Sequence, residues 1–447
     1  MEVSQSSLEH INSLVAAVQS ELRLPGLVVA VAQGGQMVNH IAIGRADLEA
    51  GIPAGPDVQY RMGSITKTVT ATAVMQLVTA GKLDLRGPLQ QGWPGAPHDD
   101  ISLADLLTHG SGLQREPVGS VWETLQFPNR EDLAATASEA RRLYPQDSWL
   151  HYSNLGFSLL GEMVAQMNQT TWEDWVAQKV LGPLGMGRTT PRPTAPAAQG
   201  YSVQPYTDEV VEEQSVDLLG IAPAGQLWST AEDLCRWTGA LAGGRPDVLP
   251  PQMLEEMRAP RTIADLEHWS WGFGLGLMLL RDGESVYVGH TGGMPGFLAA
   301  AFCHPPTQLG IVVLVNSSGG LKVGAFAAQL LSLARDGYPG AGEWAPREGP
   351  PARIVPLLGR WWSEWNEWVF RWRDGRLQAK LADAPSGDPA TEFAEIGSDQ
   401  FVALNGSERG ERLIVVRGLE AESTTVKKLY WATYPFTREP ERFGEPD

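Results

Sequence analysis

Three short stretches of this chain carry residue types that together could perform acyl transfer. The first is Ser64-Ile-Thr-Lys67, which follows Arg61-Met62-Gly63 and opens a helical pattern. Residues three apart at a helix start share a face, so the Ser64 hydroxyl and the Lys67 amine can meet. A serine hydroxyl is unreactive at neutral pH until a base takes its proton, and a desolvated lysine can serve as that base. The positive end of the helix favours negative charge on the serine oxygen. An N-cap serine beside a solvated lysine would give the same letters, but this is the only Ser-x-x-Lys in the chain. The second stretch is Tyr152-Ser153-Asn154. A tyrosine beside cations has its phenolate stabilised and can carry the serine proton to a leaving group. Asn154 offers an amide to hold Lys67 and a substrate carbonyl, although a plain turn before a helix at Leu155 is the simpler reading of these letters. The third is His290-Thr291-Gly292 followed by Gly293, after a strand-like run at 285–289. Successive glycines let a substrate approach the backbone, and the Gly293 N–H could pair with that of Ser64 around a tetrahedral oxyanion. In isolation this stretch reads as a glycine-rich turn with an incidental histidine.

The elements that must position these groups are legible in outline. Apolar residues at helical spacing over 5–22 stop before Leu24-Pro25-Gly26. Two β-rich runs, 27–33 and 36–43, flank Gly34-Gly35 and predict a hairpin. A helix is expected over 64–80 with Gly81 as its C-terminal cap, and further helical patterns lie near 131–142 and 155–167. Strand patterns return at 271–280, 285–289, 297–303 and 309–315, followed by an apolar helix at 321–335. This order predicts an α/β (α+β) sandwich with a central antiparallel sheet assembled from both ends of the domain, flanked by helices and carrying a helical insertion.

A chain of 447 residues exceeds what one core usually organises, so a domain over 1–336 and a smaller one over 352–447 are expected. A Pro/Gly-rich linker over 337–351 would join them. The alternation in Trp368–Arg373 and Arg376–Leu381 around Asp374-Gly375 predicts a hairpin, and runs at 391–395, 400–404, 411–417 and 424–434 extend it into a small β-barrel or meander. Its tryptophans are expected to pack rather than to line a ligand pocket. The net charge of −18 opposes nucleic-acid and anionic-membrane binding. No apolar run approaches a membrane span, and the first residues do not read as a secretory signal, so a cytoplasmic location is expected. Cys235 and Cys303 read as buried free thiols. No metal-ligand spacing is present, so neither a metal nor an organic cofactor is expected.

The three motifs, in this order and at these separations, resemble the serine β-lactamase-related family: class C β-lactamases, D-alanyl-D-alanine carboxypeptidases, D-aminopeptidases and esterases. Leu106-Leu-Thr-His-Gly-Ser-Gly-Leu113, Gly225-Gln-Leu-Trp-Ser-Thr-Ala-Glu-Asp-Leu234 and Gly289-His-Thr-Gly-Gly-Met-Pro-Gly-Phe297 add to the resemblance, which covers roughly 5–336. It implies a β-lactamase/transpeptidase-like fold, with Ser64 as nucleophile and Lys67 and Tyr152 as acid/base pair. Asn154, His290, Thr291, Gly292 and Gly293 would form the substrate-binding wall, and His109 would be structural. His290 stands where lactamases of this class usually carry lysine, which argues against efficient β-lactam hydrolysis. The C-terminal module resembles the lipocalin-like appendage of some members. The implied activity is hydrolysis of small peptides or amides, including D-residue substrates, through an acyl-serine. A carboxylesterase or weak β-lactamase is the alternative, and a catalytically silent binding protein on the same fold is the different class. No Gly-x-Ser-x-Gly elbow supports a Ser-His-Asp hydrolase. The expected partner is a small molecule or short peptide; nothing indicates a homo-oligomer.

Overall fold

The computed structural model describes residues 3–204, 207–336, 349–384, 389–418 and 425–441. The chain divides into two units, 1–340 and 341–447. Residues 337–348 of the expected linker lie outside the described residues. Among the described residues no helix is long and apolar enough to cross a membrane.

The larger unit is built on a nine-stranded sheet in which every neighbouring pair is antiparallel. Its order is Ile52–Pro53, Gln36–Asp47, Gly26–Gln33, Leu309–Val315, Phe297–His304, Ser285–Met294, Met278–Asp282, Trp271–Phe273, Thr262–Ile263. The first and last thirds of the unit therefore meet in the middle, with Leu27 opposite Val315 and Val315 opposite Leu298. The central strands are buried on both faces, which is why they read as unbroken apolar runs instead of alternating. One face packs Val29, Val31, Val313 and Phe302 against Ile11 and Val15 of helix Gln5–Glu21 and Phe326 and Leu330 of helix Val323–Asp336. The other packs Val28, Ala30, Val312 and Leu314 against the helical middle of the chain.

Some boundaries depart from expectation for identifiable reasons. The run 271–280 is two strands, Trp271–Phe273 and Met278–Asp282, because Gly276 at φ +72° turns the chain between them. The helix expected over 131–142 is confined to Leu133–Ser138, since Arg142 instead pairs with Leu113 as an extended bridge. Helix Ala231–Gly239 was not foreseen; it starts at the Thr230 cap and lies under the sheet.

In the smaller unit eight antiparallel strands run in chain order from Gly359–Ser363 to Tyr434–Phe436. A bridge between Trp362 and Thr437 brings the first strand to the end of the last, nearly closing a barrel. Trp361, Phe370, Phe393, Trp431 and Phe436 fill its interior in mostly edge-to-face contacts, so the tryptophans at 361 and 431 are core.

Candidate active site

Ser64 sits on a single 3-10 turn, Gly63–Ile65, that runs directly into helix Thr66–Thr79. Gly63 has φ +51°, and a Cβ there would stand 2.7 Å from the Gly293 nitrogen, so only glycine lets this turn close against the strand. The helix is buried all round, and its threonine hydroxyls are satisfied inside the fold: Thr70 donates to the Pro223 carbonyl and Thr68 accepts from the Trp237 indole. A helix so enclosed fixes where Lys67 can reach.

Lys67 is fully buried. Its Nζ lies 3.1 Å from Ser64 Oγ, 2.7 Å from Asn154 Oδ1 and 2.7 Å from the Ala224 carbonyl oxygen. Burial pushes its pKa well below that of a free lysine; Glu116 pulls it back up, and Arg115 pushes it down further. Three acceptors within reach of Nζ fit the three N–H groups of an ammonium; with the pKa lowered, loss of one proton leaves two N–H groups for the carbonyls and a lone pair toward Ser64 Oγ.

Tyr152 and Asn154 flank Ser153, whose hydroxyl caps helix Asn154–Asn168 by accepting from the Gly156 N–H. The cap turns Asn154 inward as the first helical residue. Its Nδ2 donates to Glu116 Oε1 at 2.6 Å, and because a carboxylate only accepts, that contact fixes the amide with its oxygen toward Lys67. The Tyr152 ring is held between Lys67 Nζ and the Arg115 guanidinium, 4.8 and 5.0 Å from its centroid, and stacks on His109 at 4.2 Å. His109 in turn accepts the Ser153 backbone N–H on Nδ1, so it braces the Tyr152–Asn154 turn. The phenolate expected at Tyr152 is not favoured: burial raises the phenol above its ordinary pKa, and the Ser64 hydrogen bond and Arg115 only partly oppose this.

The third motif divides. Residues 290–293 lie on strand Ser285–Met294, which runs past 289 through both glycines, and so they are not a turn. His290 is buried near Tyr152 and Phe273, with its Nδ1 against the Thr291 carbonyl oxygen. Burial and the neighbouring Lys67 push its pKa down to about 3, so the imidazole is neutral. Thr291 faces the opposite side of the sheet, where its Cγ2 approaches Gly324. Gly292 packs on the Met62 carbonyl, and Gly293 alone of the four lines the cavity in front of Ser64. That cavity, about 270 Å3, is lined by Ser64, Asn154 and Gly293 together with Arg115, Glu116, Trp122 and Met294 among others. Arg115 and Glu116 were missed in the sequence. Their only signal there is position, just beyond the stretch ending at Leu113.

A buried lysine against a serine hydroxyl, an oriented amide and a phenol beside a small cavity define a serine hydrolase. The chain belongs to the β-lactamase family: the family model described as Beta-lactamase matches residues 11–336, and Domain of unknown function (DUF7586) matches 350–438. Protein Rv1367c of Mycobacterium tuberculosis is 30% identical over 359 residues, 68% of this chain and 89% of that one. Esterase EstB of Burkholderia gladioli is 28% identical over 305 residues, 59% of this chain and 77% of that one. The octameric penicillin-binding protein homologue from Pyrococcus abyssi shares the fold, with a TM-score of 0.66 and 20% identity over 96% of this chain and 99% of that one.

Proposed function

We propose that this chain hydrolyses amide bonds of small peptides or amino-acid amides, D-residue substrates included, through an acyl intermediate on Ser64. The observation that carries the reading is a fully buried lysine whose Nζ lies 3.1 Å from Ser64 Oγ, where burial favours the free-base form. Lys67 Nζ takes the Ser64 proton as Oγ attacks the carbonyl carbon. The oxyanion forms between the N–H groups of Ser64 and Gly293. Tyr152, kept as a phenol, gives its proton to the departing nitrogen and recovers one from Lys67, so the amine leaves neutral and Lys67 returns to its free-base form. Water then cleaves the acyl-serine by the reverse sequence. A poorly leaving amine needs such a proton donor, whereas an activated ester does not. A neutral His290 also leaves the strand wall without the cation that would pair with a β-lactam carboxylate.

A carboxylesterase is the second reading, favoured by the similarity to EstB. The test is intact-mass analysis after incubation with a penicillin, beside a Ser64→Ala control, together with turnover of matched anilides and esters. A penicilloyl adduct on Ser64 that is absent from the control, with anilide turnover, is the expected result. Rapid ester cleavage with no anilide turnover would overturn the amide reading, and turnover surviving Ser64→Ala would overturn the mechanism.

A further inference from the structure

We propose that Arg61 is a positioning residue that ties one wall of the Ser64 cavity to the short run of chain carrying the nucleophile. The inference rests on the acyl-serine reading and assigns to that site a group that does not itself line the cavity.

Arg61 is sealed inside the larger unit, 3% exposed, three residues before Ser64. It lies opposite Trp228 in the two-stranded pair of Tyr60–Arg61 with Trp228–Ser229, its guanidinium 5.6 Å from the centre of the Trp228 ring. Nη1 donates to the Val216 carbonyl at 2.6 Å and Nη2 to Gln226 Oε1 at 3.1 Å, both neutral acceptors, while Nε has no acceptor among the described residues. Burial lowers its pKa to about 10 against the pull of Asp217, so it stays charged at neutrality. A buried cation with neutral acceptors and an unfilled N–H costs stability, and an apolar side chain would pack there at less cost. The charge therefore needs another account, and its two acceptors supply one.

Both acceptors belong to one segment. Gln226 follows the short helix Ala222–Gly225; its Oε1 also accepts the Leu218 N–H at 3.0 Å, and its Nε2 donates to the Pro191 carbonyl at 3.0 Å. The guanidinium thus clasps the two ends of 216–226. Between them stand Leu218, Ile221, Ala224 and Gly225, all lining the cavity in front of Ser64. Leu219 stands at φ +46°, a left-handed conformation that a leucine keeps only where its surroundings hold it. A planar fork presents two N–H groups in fixed directions and reaches both acceptors at once, which the single ammonium of a lysine does not. Because Arg61 and Ser64 share one short run of chain, the clasp sets the wall relative to the nucleophile.

The test is single-turnover acylation by p-nitrophenyl butanoate at pH 7. It yields the burst amplitude, which counts active sites, the limiting acylation rate, and the ester concentration at half-saturation. In Arg61→Lys and in Gln226→Leu the half-saturation concentration should rise by about four- to fifteenfold, equivalent to one or two buried methylene contacts, with the limiting rate within about threefold of wild type. The double variant should rise no further than either single one, because both break the same clasp. Gln226→Glu keeps an acceptor for Arg61 and for the Leu218 N–H and should stay close to wild type. The amplitude corrects for the fraction folded, and if Arg61→Lys does not fold, the two Gln226 variants carry the comparison. A loss confined to the amplitude would reduce Arg61 to a stability role, and a loss confined to the limiting rate would place its effect on the nucleophile. Either overturns the assignment, as does an unchanged half-saturation or an equal rise in Gln226→Glu and Gln226→Leu. If the wild type gives no burst, the acyl-serine reading falls and this assignment with it.

Discussion

Replacing Gly292 with alanine probes whether the strand must touch the turn that carries Ser64. The two backbones meet there with no side chain between them. A Cβ on Gly292 would stand 2.0 Å from the Met62 carbonyl oxygen and 3.3 Å from Gly63 Cα, where ordinary contact begins at 3.4 Å. Strand and turn must therefore separate by about 1.4 Å. Neither side yields easily: Met62 N donates to the Leu227 carbonyl at 3.0 Å, and Gly292 is held in the ladder opposite Ala299. A misplacement of about 1 Å at a reacting group costs about 100-fold in rate, equivalent to about 2.7 kcal/mol of barrier. Single-turnover acylation by a p-nitrophenyl ester, read as the burst of nitrophenolate, should slow by about 100-fold or more in Gly292→Ala. Gly293→Ala is the comparison, since its Cβ would meet nothing closer than Leu298 Cδ2 at 3.8 Å; it should lose less than about tenfold. A folded Gly292→Ala that acylates within about threefold of wild type would refute the claim that this backbone contact sets the geometry.

The buried amine gives a second expectation. Because the Lys67 pKa is lowered, the base is neutral above that lowered value and becomes charged as pH falls through it, so kcat/KM should drop on the acid side. Tyr152, with its pKa raised, should add no loss on the alkaline side of neutrality; a fall in kcat/KM just above neutrality would contradict this. Lys67→Arg places a permanently protonated group beside Ser64 that cannot accept its proton, so acylation should fall by about 100- to 10,000-fold; near-normal rates would exclude Lys67 as base. Asn316→Ala removes an Nδ2 that sits 3.0 to 3.1 Å from the carbonyls of Arg45, Ala46 and Gln199. It should destabilise the larger unit by about 1–3 kcal/mol in chemical denaturation. Trp361→Ala empties the smaller unit's core and breaks the indole bond to the Leu357 carbonyl; a loss of about 3–5 kcal/mol is expected in its unfolding transition. An unchanged midpoint in either case would refute the packing argument.

What the sequence disclosed depended on range. The antiparallel sheet was legible because Leu27–Ala32 and Leu309–Val315 are long β-branched runs bounded by glycine and polar turns, and the alternation around Asp374-Gly375 marked the barrel as plainly. Ser64 and Lys67 were legible because their contact is local, one helical turn apart. Their contacts to Asn154 and Ala224 are tertiary, spanning 87 and 157 residues; the amide of Asn154 suggested the first, and nothing local marked the second. The wrong boundaries fell where local propensity lost to tertiary pairing, as at Arg142, which trades a helical position for a bridge to Leu113. Thr291 was placed in the substrate wall from its position in a motif, yet a strand shows alternate residues to opposite faces, and the motif gives no sign of which face Thr291 takes.

Glu116 shows the limit most clearly, because nothing around Gln114-Arg115-Glu116-Pro117 has a catalytic pattern. Its importance comes from what it faces. The carboxylate orients Asn154, and its charge raises the Lys67 pKa against the larger effect of burial. These two actions make opposite demands: a more negative wall would hold the amide firmly but would keep Lys67 protonated and unable to accept the Ser64 proton. Arg115 relieves the conflict by lying beside the carboxylate and lowering the Lys67 pKa.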